Sequence, residues 1–154
     1  MRGCLFSAFI LFAADQLSKY IIDSFVSYGA SIKIIPVYGF FNITNVHNTG
    51  AAFSIFQGNN FAFAVLITVI LSVIAVWFYF NANKITVLQK YAFCLVFAGG
   101  LGNLTDRIFR GAVVDFLDFG INSLRWPAFN VADSCVCAAA ALIAIDVFKS
   151  NAKS

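Results

Sequence analysis

The sequence predicts a mainly α-helical, polytopic membrane protein with four transmembrane helices, a small extracytoplasmic β lobe, and a surface helix or loop between the third and fourth helices. Composition is the first reason: 61% of the 154 residues are hydrophobic and only 11% are charged, whereas about a quarter of the residues in a soluble domain are charged. The second reason is the presence of four apolar runs, each close to the roughly 20 residues that span a bilayer. We therefore expect a single integral membrane domain over residues 1–154.

The first apolar run begins after Arg2 and predicts a helix over residues 4–22. A cleaved signal peptide is the alternative, because a pair of alanines in this run is similar to a cleavage site. Only one basic residue precedes the run, however, and the helical pattern continues through Asp15 and Lys19, which favours a retained helix. These two residues are four positions apart on one helix face and can pair there. The pair is either an ion pair at the membrane boundary or an organiser of a functional site, since ionisable groups within spans are functional candidates.

Residues 23–60 differ in character and predict the small β lobe outside the lipid. The segment contains glycines, a proline and strand-like runs at residues 32–35 and 40–46. It is also too long for a plain connection between two helices. Near its end, Asn48 and Gly50 lie among amides and small residues, a composition that lets the backbone approach a ligand closely.

The rest of the chain predicts three further spans and one outer loop. Residues 61–80 contain no charge and end near aromatic residues that suit a membrane interface. Helices are also predicted over residues 91–107 and 129–147, with an outer loop or surface helix over residues 108–128 between them. Glycines in the third helix permit close approach of a neighbouring helix.

The basic residues predict the orientation of these spans. Four spans place both termini on one side, and positive charge is enriched in cytoplasmic loops. When Lys19 and Arg107 are left out, because both have partners at helix ends, five basic residues lie on the side of the termini and three on the other. They are Arg2, Lys84, Lys90, Lys149 and Lys153 against Lys33, Arg110 and Arg125. This count favours cytoplasmic termini.

Cysteine and histidine give no indication of a metal site. The four cysteines lie in apolar runs and are interpreted as small buried hydrophobes, not as a disulfide framework. Cys135 and Cys137 have the wrong spacing for a zinc pair, and His47, the only histidine, is interpreted as a solvated loop residue. A net charge of +3 argues against a nucleic-acid partner. We expect no metal and no cofactor.

Polar residues from several predicted spans and loops converge on the outer membrane face. All seven acidic residues of the chain are aspartates. Asn103, Asp106 and Arg107 share one helix face by their spacing, and Arg107 is the best placed of them to hold an acidic or carbonyl group. The polar residues at this face are Asp15, Asn48, Asn103, Arg107, Asp115, Asn130 and Asp133.

This arrangement indicates acid–base chemistry by paired carboxyl groups. Two aspartates that lie close together cannot both ionise easily. One is then held protonated while the other takes a proton from water, which is how an acid–base pair activates water without a metal. By position alone Asp106, Asp115, Asp118 and Asp133 all compete for these two roles.

Four blocks of the sequence decide between these aspartates by resemblance. Residues 15–19, 48–53, 99–116 and 129–133 are similar, in order and spacing, to the lipoprotein signal peptidases, the aspartic signal peptidase II family of bacteria. The resemblance implies that Asp115, in Gly-x-Val-x-Asp-Phe, and Asp133, in Phe-Asn-x-Ala-Asp, form the catalytic dyad. The predicted supporting and substrate-binding residues are Asp15, Asn48, Gly50, Asn103, Asp106, Arg107 and Asn130.

The resemblance also implies a substrate and a location. The expected substrate is a diacylglyceryl-modified prolipoprotein, cleaved just before its lipidated cysteine. The expected enzyme lies among the lipids of the bacterial inner membrane as a monomer, with both termini in the cytoplasm and its active site near the outer face. Such a site suits a lipid-bearing substrate, because the acyl chains stay in the bilayer while the scissile bond meets water.

Two other classes of protein fit the composition. In a small transporter or channel, Asp15, Asp115 and Asp133 would form a path for protons or cations. The sequence shows no internal repeat, and the acids cluster at one face instead of crossing the membrane. A purely structural four-helix protein is disfavoured by the cost of inserting so many polar groups into lipid.

Overall fold

The computed structural model describes residues 2–50 and 58–152 of the chain. Ala51, Ala52 and Phe53, the end of one sequence block, and Lys153, counted above for orientation, lie outside the described residues. The described residues form four long helices, each long and apolar enough to cross a membrane. They are α1 (Arg2–Phe25), α2 (Asn60–Asn81), α3 (Val87–Phe109) and α4 (Val131–Asn151). The predicted multi-pass helical membrane fold is confirmed.

Large apolar side chains cover the outside of the helices, and small ones fill the inside. Phe9, Val73 and Val147 are among the many large hydrophobic residues that are exposed. Ala98 and Ala132, by contrast, are buried where α3 meets α4. An exposed apolar surface of this extent is stable in lipid, while small residues let helix backbones approach closely.

Helix α3 is central, because α1, α2 and α4 all pack against it. Its glycines face the neighbouring helices. A Cβ atom on Gly102 would lie 2.6 Å from Oδ2 of Asp15 in α1, and one on Gly99 would overlap the carbonyl oxygen of Ala132 in α4. The helices approach at the level of these glycines, as the sequence predicts, and this approach brings polar residues of three helices together.

Capping residues set where two helices begin. Thr86 and Gln89 form a capping box, so α3 begins at Val87 and not near residue 91. Asn130 and Asp133 form a second capping box, in which Asn130 Oδ1 accepts a hydrogen bond from the backbone N–H of Asp133 at 2.9 Å. Helix α4 therefore begins at Val131 and not at residue 129.

A four-stranded antiparallel sheet lies at one end of the bundle, in the order β1-β2-β3-β4. Its strands are β1 (Ser31–Ile35), β2 (Phe41–Asn48), β3 (Val113–Ile121) and β4 (Leu124–Arg125), with a 3-10 turn at Val37–Gly39. The first two strands form the predicted lobe, and His47 lies in β2 and not in a loop. Nε2 of His47 is 2.8 Å from Oδ1 of Asp23.

The prediction of a surface helix or loop over residues 108–128 is wrong, because β3 and β4 occupy that segment. Residues 113–116 are all buried, so the run has no polar face that would mark it as a strand. Strand β3 pairs with β2, and a bridge joins Leu117 to Phe129 through backbone hydrogen bonds of 2.8 and 3.1 Å. This bridge holds the start of α4 against the sheet.

A disulfide joins Cys4 of α1 to Cys94 of α3, at the end of the bundle away from the sheet. The expectation of no disulfide is wrong for this pair. The two cysteines are 90 positions apart, and only the packing of α1 against α3 brings them together. Cys135, which is buried, and Cys137, which is exposed, are free.

Candidate active site

Asp115 and Asp133 meet at Asn130, where the sheet touches the bundle. Asp115 is buried in β3, and Asp133 lies in the first turn of α4. The side-chain Nδ2 of Asn130 donates to Oδ1 of Asp115 at 2.7 Å, and the backbone N–H of Asn130 donates to Oδ2 of Asp133 at 3.2 Å. One residue therefore contacts both carboxyl groups.

Asp115 lies between two amide donors. Its second oxygen, Oδ2, accepts a hydrogen bond from Nδ2 of Asn48 at 2.9 Å. Burial is the main cause that raises the pKa of Asp115 to about 7, and the charge of nearby Asp133 adds to the rise, while the bonds from Asn48 and Asn130 oppose it. The carboxyl group can therefore gain or lose a proton near neutral pH.

Asn103 of α3 holds Asp133 from the opposite side. Its Nδ2 donates to Oδ1 of Asp133 at 2.7 Å. Its Oδ1 accepts two hydrogen bonds, from Nζ of Lys19 at 2.9 Å and from Nδ2 of Asn130 at 3.3 Å. Asn103 is thus bonded to one carboxyl group directly and linked to the other through Asn130.

A charge cluster, buried except for its exposed member Arg110, lies behind Asn103. The ammonium of Lys19 forms ion pairs with Asp15 at 2.9 Å and Asp106 at 2.7 Å, and Arg110 pairs with Asp106 at 2.9 Å. Oδ1 of Asp15 accepts from the backbone N–H of Ala132 at 2.8 Å and so anchors the first turn of α4. The Asp15–Lys19 pair is therefore a buried part of this region and not a boundary ion pair.

Arg107 holds the segment that carries Asn48. Nη2 of Arg107 donates to the carbonyl oxygen of Gly50 at 2.8 Å, and Nη1 donates to Oδ1 of Asn60 at 3.1 Å. The guanidinium also lies 5.0 Å from the ring centre of Phe63. Gly50 in turn donates its N–H to Oδ1 of Asn48 at 3.0 Å. The carbonyl group that Arg107 binds therefore belongs to Gly50 of the protein itself.

The other aspartates that the sequence offered as candidates for the acid–base pair have different partners. Asp106 belongs to the charge cluster, and Asp118 pairs with Arg125 at 2.7 Å farther along β3. In the described part of the chain, the hydrogen bonds to Asp115 and Asp133 all come from amide groups. These two carboxyl groups, which share Asn130, are therefore free of a direct cation partner among the described residues.

Comparison with known proteins identifies the family. A family model described as signal peptidase (SPase) II matches residues 7–149. The chain belongs to the signal peptidase II family. Family membership makes the chain a peptidase and sets aside the transporter and the purely structural alternatives.

Two relatives show how far the likeness extends. The lipoprotein signal peptidase of Alteromonas mediterranea is 42% identical over 147 residues, which are 94% of this chain and 79% of the relative. The lipoprotein signal peptidase of Fusobacterium nucleatum is 39% identical over 150 residues, 97% of this chain and 88% of the relative. The likeness thus covers almost the whole signal peptidase II chain.

Solved structures share the fold of this signal peptidase II chain. A bacterial membrane enzyme determined by the in meso method at 2.3 Å resolution has a TM-score of 0.89 and 34% identity, and the match covers 100% of this chain and 92% of that one. A second, at 1.9 Å resolution, has a TM-score of 0.84 and 36% identity, covering 97% and 94% of the two chains. The combination of four helices and a small sheet is therefore common to this chain and these bacterial membrane enzymes.

The structure brings the predicted site residues of this signal peptidase II chain into one region and adds residues that sequence reasoning missed. Asn60 was not predicted as a site residue, and Lys19 was considered only as the partner of Asp15, yet Asn60 bonds to Arg107 and Lys19 bonds to Asn103. Lys19 carried a signal in the sequence, since a lysine four positions after an aspartate inside an apolar helix requires a partner. Asn60 carried none, because it is a single amide at the start of a helix.

Proposed function

We propose that the chain is a membrane-embedded aspartic endopeptidase that removes the signal peptide from diacylglyceryl-modified prolipoproteins. Cleavage falls before the lipidated cysteine, and Asp115 and Asp133 activate the attacking water. The observation that carries this proposal is the pair of hydrogen bonds from Asn130, of 2.7 Å to Asp115 and 3.2 Å to Asp133. The relatives from Alteromonas mediterranea and Fusobacterium nucleatum, both lipoprotein signal peptidases, support the substrate class.

The two carboxyl groups act as one acid–base unit. The ionised member takes a proton from water, which then attacks the scissile carbonyl carbon, and the protonated member donates its proton to the carbonyl oxygen. When the tetrahedral intermediate collapses, the C–N bond breaks and the carboxyl group that took the proton from water gives it to the departing amine of the cysteine. A hydroxyl of the intermediate returns a proton to the other carboxylate, and the signal peptide then ends in a new carboxyl group. A pKa of about 7 for Asp115 suits this exchange, because that carboxyl group can gain or lose a proton close to neutral pH.

The amide side chains orient the pair without neutralising it. Asn48 and Asn130 hold the two oxygens of Asp115, and Asn103 holds Oδ1 of Asp133. Asp15 anchors the turn that carries Asp133 through the N–H of Ala132. Amide donors fix carboxyl orientation while leaving a proton free to move, whereas a cation would hold a carboxylate permanently ionised.

The location of the site follows from the helix ends. The carboxyl pair lies where the C-terminal end of α3, the start of α4 and the sheet meet. With both termini in the cytoplasm, this end faces the outer surface of the inner membrane. The enzyme then acts as one membrane domain and as a monomer, with the acyl chains of the substrate in lipid and its scissile bond at the level of the site.

Replacing either carboxyl group by its amide tests the proposal. We expect Asp115→Asn and Asp133→Asn each to lower the kcat for cleavage of a purified, lipid-modified prolipoprotein by at least about 10²-fold, because each removes a proton donor or acceptor. Asp118→Asn is the matched control, since Asp118 lies on the same strand as Asp115 but pairs with Arg125. The control is expected to keep most of the activity.

Thermal unfolding in detergent shows whether each variant is folded. If Asp115→Asn or Asp133→Asn turned over substrate at a near-normal rate, the dyad assignment would be wrong. If Asp118→Asn lost activity as completely as they did, loss of activity would no longer identify the dyad.

A further inference from the structure

Lys19 has a contact that its charge does not require. The side chain is fully buried in α1, and an ammonium in that position must be paired. Asp15 and Asp106 supply two carboxylates, and Arg110 supplies the second positive charge of the cluster. Two positive and two negative side chains balance without any further partner. The hydrogen bond of 2.9 Å from Lys19 to the uncharged Asn103 is therefore not needed for charge balance, and it uses the third N–H of the buried ammonium.

The bond from Lys19 fixes which way the amide of Asn103 points. An ammonium can only donate, so it selects the oxygen of an amide and excludes the NH₂ group. Oδ1 of Asn103 faces Lys19, and Nδ2 consequently faces Oδ1 of Asp133 at 2.7 Å. A rotated amide would place NH₂ against the ammonium and an oxygen against the carboxylate, and both contacts would be repulsive.

The same oxygen also orders Asn130. Nδ2 of Asn130 donates to Oδ1 of Asp115 at 2.7 Å and makes longer bonds to Oδ1 of Asn103 at 3.3 Å and to the carbonyl oxygen of Val114 at 3.4 Å. The orientation of Asn103 is thus passed on to both carboxyl groups, to Asp133 directly and to Asp115 through Asn130.

We infer that Lys19 is a positioning residue of the carboxyl pair, which it orients through the side-chain amide of Asn103. Asp15 and Asp106 hold the ammonium in place, and the ammonium in turn holds the amide. The inference rests on the proposed function, because it assigns Lys19 a role only if Asp115 and Asp133 are the reacting groups. It extends that function from the two reacting carboxyl groups to a residue that lies two hydrogen bonds behind Asp133.

The first test removes the donor and leaves an apolar chain of similar length. Lys19→Met is expected to lower kcat about 10²-fold, the scale of a misplaced catalytic group, with KM little changed because the fully buried Lys19 side chain does not itself reach the substrate. Arg110→Met is the matched control: it removes a positive charge that pairs with the same Asp106 but does not reach Asn103. The control is expected to keep its kcat.

A charge-balanced variant separates positioning from folding. Lys19→Met alone leaves the cluster with an excess negative charge and can lower the Tm, whereas Lys19→Met combined with Asp106→Asn restores the balance. Asp106→Asn alone is the reference. We expect the combined variant to recover Tm toward that reference while kcat stays low. Recovery of kcat together with Tm would overturn the inference, since Lys19 would then serve stability alone.

A double-substitution cycle tests the route through Asn103. If Lys19 acts through that amide, Lys19→Met lowers kcat in the wild-type chain but adds no further loss to Asn103→Ala. Losses that multiply would contradict the route. Asp115→Asn and Asp133→Asn are measured in the same assay, so that activity in those variants refutes the proposed function, whereas their inactivity with an active Lys19→Met refutes only the role of Lys19.

Discussion

Asp115 shows how burial sets the chemistry of a single side chain. Amides of Asn48 and Asn130 each donate to it, and both bonds favour the ionised form. Burial outweighs them and, together with the charge of Asp133, raises the pKa of Asp115 to about 7. Replacement of the amides by a lysine or arginine would reverse this balance. The choice of asparagines around the pair is therefore part of the proposed mechanism.

Asp115→Asn is expected to change how stability depends on pH. The carboxyl group titrates near 3.8 when unfolded and near 7 when folded, so unfolding between these values releases a proton. Rising pH therefore lowers the free energy of unfolding across this window, by a few kcal/mol in total. The amide cannot titrate. The Tm of Asp115→Asn minus that of the wild type should increase from about pH 4.5 to about pH 7.5.

Thermal unfolding in detergent across that pH range measures this difference. The amide of Asp115→Asn fits the donors Asn48 and Asn130 less well than a carboxylate does, so the variant can be less stable at every pH. The quantity to compare is therefore the slope of the Tm difference against pH, and not its sign at one pH. A difference that stayed flat or fell with pH would mean that Asp115 is already ionised in the folded chain well below neutrality.

The polar residues of the site could be predicted from the sequence, but their partners could not. An aspartate in an apolar protein stands out because its burial is costly, and this marks Asp15, Asp115 and Asp133. What each of them binds depends on side chains that are distant in sequence. Arg107 was expected to hold a carbonyl group and does so, yet that group is the carbonyl of Gly50 in the same chain.

At the scale of helices and strands, the length of the apolar runs predicted the four helices. Elements that form only by pairing with a distant segment could not be predicted in the same way. The four helices follow from apolar runs of bilayer length. Strand β3 was not predicted because its partner strand is distant in sequence. Strand β2 ends at Asn48, 65 positions before β3 begins at Val113. The buried residues of β3 also lack an alternating pattern. The Cys4–Cys94 disulfide was not predicted for the same reason, because only the packing of α1 on α3 brings the two cysteines together.

Gly102→Ala tests the close approach of α3 to α1. The added methyl group would lie 2.6 Å from Oδ2 of Asp15, a buried carboxylate that has no room to move. We expect a loss of roughly 1–3 kcal/mol in the free energy of unfolding, the usual cost of overpacking. A fall in kcat should accompany it, because Asp15 anchors the N–H of Ala132 at the start of α4.

Gly100→Ala is the matched control for this substitution. Its methyl group would meet the end of the buried Leu71 side chain at 2.8 Å, and the end of a flexible apolar side chain can shift more easily than a carboxylate held by an ion pair. The Tm and kcat of both variants are measured in the same detergent. Equal losses in the two would show that glycine is needed for the helix itself and not for the contact with Asp15.

On the scale of the whole molecule, polar structure is divided between the two ends of the bundle. One end carries the charge cluster, the carboxyl pair and the sheet. At the other end, Thr86 and Gln89 donate to Asp146 of α4 at 2.8 Å each, which joins the start of α3 to the last turns of α4. Helix α3 connects the two ends, so the orientation of the chain in the membrane decides which compartment supplies water to the site.

Cysteine labelling tests this orientation. The excess of basic residues near the termini and in the α2–α3 connection predicts that these segments are cytoplasmic and that the sheet is outside. Ser31→Cys, on the exposed strand β1, should react with a membrane-impermeant maleimide in intact cells. Lys84→Cys, in the α2–α3 connection, should react only after the cells are permeabilised. The parent chain, with its own four cysteines, gives the background.

The opposite pattern would place the carboxyl pair at the cytoplasmic face. That result is incompatible with the proposed reaction, because a prolipoprotein translocated across the inner membrane would present its scissile bond at the outer side. Labelling of both positions in intact cells would indicate mixed orientation. The basic residues on the two sides of the membrane would then be too nearly equal in number to orient the four spans. We expect that outcome if Lys19 and Arg107 act as free charges although each has a buried partner.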